Sequence, residues 1–85
     1  MKLNPLIVFR EDFENSAVLF NPEDGRILGL NRTGAFIWQE LEKARDRDEI
    51  IADLRAACGD TAPENLASDV DEFLQKLRDN AFLID

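Results

Sequence analysis

Hydrophobic and polar positions change their period part-way along the chain. Leu6-Ile7-Val8-Phe9 is rich in β-branched and aromatic residues and ends in the charged Arg10-Glu11-Asp12, which predicts a first strand. Ser16-Ala17-Val18-Leu19-Phe20 predicts a second strand. Asn21-Pro22-Glu23-Asp24-Gly25 carries dense turn chemistry, because Pro22 presets φ and Asp24-Gly25 tolerates positive φ. Arg26-Ile27-Leu28-Gly29-Leu30 follows as a third strand, so the second and third form a β-hairpin. These strands are apolar on both faces, with Val18 and Phe20 on one and Ala17 and Leu19 on the other. A sheet with one solvated face alternates more cleanly. Either both faces are covered or one awaits a ligand. Gly29 admits a close approach, whether by a neighbouring side chain of the chain itself or by something from outside.

Beyond Leu30 the spacing becomes helical. Asn31 or Thr33 can cap a first helix, and Phe36, Ile37, Trp38, Leu41 and Ala44 give it a wide apolar face. Asp46, with Glu49 three residues later, predicts a capping box. Ile50, Ile51, Leu54 and Ala57 line that second helix, and Cys58-Gly59 closes it. Thr61 with Glu64 repeats the box signature, and Pro63 suits a first turn. The third helix then runs to about Asn80, with Leu66, Val70, Phe73 and Leu77 on one row and Leu74 widening it. The tail Ala81-Phe82-Leu83-Ile84 is expected to fold back onto the core. Strands followed by helices predict an α+β domain with a small sheet packed on a helical group.

Composition narrows what such a domain does. At 85 residues, one domain spanning 1–85 is expected, with little room for a deep enclosed active site. Ten basic residues stand against 18 acidic ones, giving a net charge of −8. That balance opposes contact with nucleic acid and with anionic membranes, and favours a partner carrying positive charge. No apolar stretch is long enough to span a bilayer, and the N-terminus lacks a secretory signal. Cys58 is the only cysteine, so no internal disulfide forms and a cytoplasmic location is expected.

Catalytic chemistry is poorly supplied. There is no histidine and no tyrosine, so Cys58 has no partner base and no zinc ligand set exists. Asp69, Asp71 and Glu72 point in different directions on a helix and read as a solvated face. Gly25 and Gly29 are too sparse to cradle phosphate. No enzyme activity, cofactor or metal is expected. A winged helix that binds DNA is an alternative, but the third helix carries Lys76 and Arg78 against five carboxylates, Glu64, Asp69, Asp71, Glu72 and Asp79. An acyl carrier needs a serine at a helix start, and neither Ser16 nor Ser68 is so placed.

Several segments resemble one family. Leu30-Asn31-Arg32-Thr33-Gly34-Ala35-Phe36-Ile37-Trp38 is similar to the L-N-x-T-(A/G)-x-x-(I/V)-(W/L) segment of PqqD-like proteins. Ile50-Ile51-Ala52-Asp53-Leu54 resembles their I-I-x-x-L second helix. Asp69-Val70-Asp71-Glu72-Phe73-Leu74-Gln75-Lys76-Leu77 resembles their D-V-x-x-F-L-x-x-L third helix. The opening Asn4-Pro5-Leu6-Ile7-Val8 and the turn Phe20 to Arg26 further resemble members of the SynChlorMet cassette. One departure is the end of the third helix, where Asn80-Ala81-Phe82-Leu83 replaces an Arg-Gly-Leu-like step; Asn80 is expected to take the left-handed position.

The resemblance implies a winged-helix-like fold, a three-stranded antiparallel sheet followed by three helices. It also implies recognition of the leader of a ribosomally made precursor peptide, which is presented to a separate modifying enzyme of the radical SAM type. The leader adds as a strand beside the third strand and packs against the third helix. On that basis Arg26, Ile27, Leu28, Gly29 and Leu30 supply the edge, and Val70, Leu74, Leu77 and Arg78 the facing wall. Val70 and Leu77 sit on the central row of the helix and read as core ahead of groove, and Phe36, Trp38 and Phe73 read as core; Leu74 is expected to face the groove. An open edge could also pair with a copy of itself, giving a homodimer. An adaptor that docks only on its partner enzyme is a further reading.

Overall fold

The computed structural model describes residues 2–11 and 16–84. Its sheet holds β1 (Val8–Glu11), β2 (Ala17–Phe20) and β3 (Ile27–Leu30), antiparallel and in the order β1-β2-β3. Three helices follow: α1 (Arg32–Glu42), α2 (Arg47–Cys58) and α3 (Leu66–Asp79), with a short 3₁₀ turn, Gly59–Thr61, between the last two. This is the α+β order expected, strands first and helices after.

Local chemistry explains most boundaries. In the hairpin turn Gly25 adopts φ 77°, and the Gly25 amide donates to the Asn21 carbonyl at 2.8 Å. The Asn21 side chain accepts from the Glu23 amide, and Asp24 from the Arg26 amide, each at 2.9 Å. Asn31 caps α1 by accepting from the Gly34 amide at 2.8 Å. Asp46 and Glu49 form the reciprocal capping box on α2.

Other boundaries differ from expectation. β1 starts two residues later than the apolar run, because the Asn4 side chain accepts from the Leu6 amide and its carbonyl from Ile7, folding Pro5 into a turn. Arg10 and Glu11 are paired in the strand instead of ending it; Asp12 lies outside the described residues. α3 starts at Leu66, not in the segment after Thr61: the 3₁₀ turn absorbs the backbone of Thr61, Ala62 is extended before Pro63, and Asn65 precedes the helix without a side-chain cap bond. The Thr61 side chain lies outside the described structure.

Both α1 and α3 end the same way. Ala44 and Ala81 each take φ 62°, the left-handed region. The Arg45 amide donates to Glu40 at 3.1 Å and Ala44 to Leu41 at 3.0 Å, and the Phe82 amide donates to Leu77 at 2.8 Å and Ala81 to Arg78 at 3.1 Å. This is the crossed bond pair of a Schellman motif, used twice. Ala44 is therefore outside α1 and exposed, and Asn80, with φ −102°, is not the left-handed residue.

The helices cover one sheet face. Leu19, Ile37, Ile50, Leu66, Val70, Leu77 and Phe82 are the most completely enclosed large side chains among the described residues. The tail returns as expected: Phe82 and Leu83 are buried, Leu83 bridges to Leu3, and the Asn4 amide donates to the Phe82 carbonyl at 3.0 Å. Ala57 of α2, expected inside, is exposed, and Ile51 is half-buried.

One buried carboxylate stands out. Glu40 is only 5% exposed, and its Oε1 has no hydrogen-bond partner among the described residues. Its pKa is raised by a hydrogen bond with Asp53 and by burial, against a weaker pull from Lys43, whose Nζ is 4.0 Å away. A carboxyl raised in the folded state favours folding while protonated, and that contribution is lost as pH rises through its folded pKa. Glu40→Gln is therefore expected to raise the melting temperature at neutral pH, with the gain shrinking as pH falls through the raised folded-state value and gone below the ordinary glutamate value of 4.5. Thermal unfolding at both pH values checks this. Ala44→Gly and Ala81→Gly are each expected to stabilise by roughly 1 kcal/mol, because a left-handed backbone strains any residue with a Cβ; chemical denaturation measures it.

Candidate peptide-binding edge

β2 bonds one side of β3, and among the described residues no strand pairs with the other side. The tail closes against residues 2–4 ahead of β1, not against β3. That side of β3 is an unpaired strand edge among the described residues. Arg26 begins this edge, exposed, with its Nε 3.3 Å from Asp24. Ile27 and Gly29 are exposed, Leu28 is half-buried, and Leu30 is buried.

Register fixes which side chains share a face, since directly paired residues point the same way. Phe9, Leu19 and Leu28 form one inner row, and Glu11, Ala17 and Leu30 the other. Val8, Phe20 and Ile27 form an outer row beside Arg10, Val18 and Gly29. The inner face is covered by helices. The outer one leaves Val8, Val18 and Ile27 exposed, so the two apolar faces read from sequence have different fates.

Where β3 runs into α1, a cavity of about 390 Å³ opens between α1, the end of α2 and α3. Asn31, Ile37, Leu54, Leu66, Val70 and Phe73 are on its wall. Asp69, Glu72 and Lys76 border it. Gly34 permits the close packing here: a Cβ at that position would stand 3.2 Å from the Phe73 ring. Cys58, half-buried, adds its small apolar side chain to the wall.

The α3 residues expected to form the facing wall divide. Val70 lines the cavity, although its side chain is fully buried. Leu74 is 2% exposed and Leu77 fully buried, so Leu74 belongs to the core and is not an open groove residue. Arg78 is exposed on the same flank of α3 as Leu74 and Asp71. That flank is tied to the start of α2, where the Arg47 guanidinium donates to both Asp71 oxygens, the Nη2 bond being 2.9 Å. This hydrogen bond lowers the Asp71 pKa and raises that of Arg47. The other flank, bearing Phe73 and Lys76, is turned toward the cavity. Sequence reading took Phe73 as core; its half-buried ring is on the cavity wall. The clue available was its position at the edge of the apolar row beside Asp69 and Lys76, both polar.

No group of three or more His, Cys, Asp or Glu among the described residues could hold a metal ion. None of the described helices is long and apolar enough to cross a membrane.

Residues 16–83 match the family model described as Coenzyme PQQ synthesis protein D (PqqD). No curated protein matches the chain. Two solved structures share its fold. One, "TbiB1 in Complex with the TbiA(beta) Leader Peptide", is 26% identical, with 98% of this chain and 94% of that one covered at a TM-score of 0.80. Another, "Lasso peptide synthetase B1 complexed with the leader peptide", is 21% identical, with 99% and 96% covered at a TM-score of 0.83.

The burial of Leu74 gives a direct test. Leu74→Ala is expected to cost about 2–5 kcal/mol of stability, as core truncations do. Denaturant unfolding followed by circular dichroism measures it, and a loss under 1 kcal/mol would return Leu74 to the surface.

Proposed function

Since the chain belongs to the PqqD family, we propose that it binds the leader of a ribosomally made precursor peptide and presents it to a separate modifying enzyme, without chemistry of its own. The observation that carries this reading is the unpaired side of β3 beside an apolar cavity. A chain of the same fold, 26% identical, was solved with a leader peptide. The partner enzyme in this proposal is of the radical SAM type, and the setting is the cytoplasm.

Strand addition supplies the mechanism. An extended guest satisfies the N–H and C=O groups that β3 turns to its unpaired side, which gives affinity with little regard to sequence. Selectivity then comes from alternate side chains, since every second one points toward the helices. An apolar guest residue turned that way enters the cavity against Val70 and Phe73. Leu74 and Leu77 contribute from behind, by fixing α3 in place. Asp69 and Glu72 at the rim favour a basic residue near the anchor, and Arg26 at the start of the edge offers charge to a guest carboxylate. Such exposed pairs are worth ~0–1 kcal/mol each, so apolar burial and backbone pairing dominate.

The test is an NMR titration with the leader of a precursor encoded beside this gene. Amide shifts are expected at Ile27–Leu30 and on the Phe73 flank of α3, and a precursor lacking its leader is expected to leave them unmoved. Shifts that avoid both elements would remove the site from β3. Equal binding by the leaderless precursor would favour recognition of another part of the peptide.

A further inference from the structure

Gly29 is unexplained by the domain's own packing. It sits in the middle of a strand, where a glycine loses packing and conformational stability. Its φ is not in the left-handed region, and a Cβ built on it would meet nothing within 4 Å. Among the described residues no neighbouring side chain overhangs it, so their packing does not account for this glycine. A bare lane is left on the outer face, bounded by Val18 across the strand pair and by Ile27 two residues back along β3. Val18 is 37% exposed and Ile27 68%, the latter the most open large hydrophobic side chain among the described residues. Arg10, paired with Val18, ends the lane at its far side.

This lane is continuous with the edge to which the guest strand adds. A residue of that strand placed opposite Gly29 projects on the same outer face. An aromatic ring on such a residue can lie flat over a cross-strand glycine, a pairing known to offset the cost of glycine at sheet edges. Here the ring would cover Val18 and Ile27 in the same move. We propose that the guest residue opposite Gly29 is aromatic, and that its ring lies across the glycine against Val18 and Ile27. The proposal rests on the strand-addition reading and adds a second reading face, opposite the cavity. A guest would thus be held by an apolar anchor toward the helices and an aromatic one on the other side. The lane is one residue wide, so a single ring fills it; a second copy of the domain, with its own net charge of −8, suits it poorly.

The experiment uses the full chain and a random linear peptide library displayed on its encoding RNA. Selected peptides are made synthetically, and those that shift the Ile27–Leu30 amides are kept. Phe, Tyr or Trp is expected at one fixed position, with ring-proton NOEs to the Gly29 Hα and to the Val18 and Ile27 methyl groups. Replacing that aromatic residue by Ala is expected to weaken binding to the unaltered protein about tenfold. Gly29→Val is expected to fold with an unchanged or higher melting temperature, since its side chain enters open space. It should weaken the aromatic peptides about tenfold and their Ala versions hardly at all. Edge-binding peptides without a fixed aromatic, or with NOEs elsewhere, would overturn the inference and leave strand addition standing. So would Gly29→Val binding the aromatic peptides as well as the parent does. If no selected peptide touches Ile27–Leu30, strand addition itself fails and takes the inference with it.

Discussion

Backbone groups on the free side of β3 set the terms for everything else in this molecule. An edge strand must leave its N–H and C=O groups to water or give them to another chain, and proteins usually blunt such edges. The two edges here are treated differently. β1 displays Arg10 and Glu11 and follows a turn built on Pro5. β3 carries Ile27, Leu28, Gly29 and Leu30, with no charge among them. One rim is defended and the other is not. In the proposed reading, that undefended rim is where a foreign backbone adds.

Several devices hold that side in place. The Asn21–Gly25 turn fixes the start of β3, and the Asn31 cap fixes its exit into α1. Gly34 lets α3 approach until Phe73 stands beside the junction. α3 is tied near its middle to α2 by the Arg47–Asp71 pair, and its C-terminal end is closed by the bonds to Leu77. Both members of the ion pair are about half exposed, so it orients more than it stabilises. The edge can remain open because the elements around it are fixed without its help.

Sequence made the strand–helix order, the hairpin and two of the three helix caps legible, because each depends on residues a few positions apart. Pro22, Asp24 and Gly25, or Asp46 and Glu49, carry their own geometry. The helix ends at Ala44 and Ala81 were not legible, since alanine has no local preference for a left-handed backbone and is forced there by what the chain must reach next. The unpaired edge of β3 was legible, and the burial of Leu74 on α3 was not. Periodicity identifies an apolar face but does not say which of its borders meets which neighbour. Leu74 and Phe73 stand next to each other in sequence, and only the packing of α3 in the folded domain shows that the first is enclosed and the second borders the cavity. The state of Gly29 was equally hidden, because an empty neighbourhood leaves no trace in a single sequence.

The clasp between the two extremities has a bearing on how the molecule is born. Asn4 bonds through its side chain to Ala81, 77 positions away, and Leu3 meets Leu83. The β2–β3 hairpin, by contrast, needs only local contacts, which form early. The clasp closes only when both extremities have been made, and until then the inner face of the hairpin has no α3 to cover it.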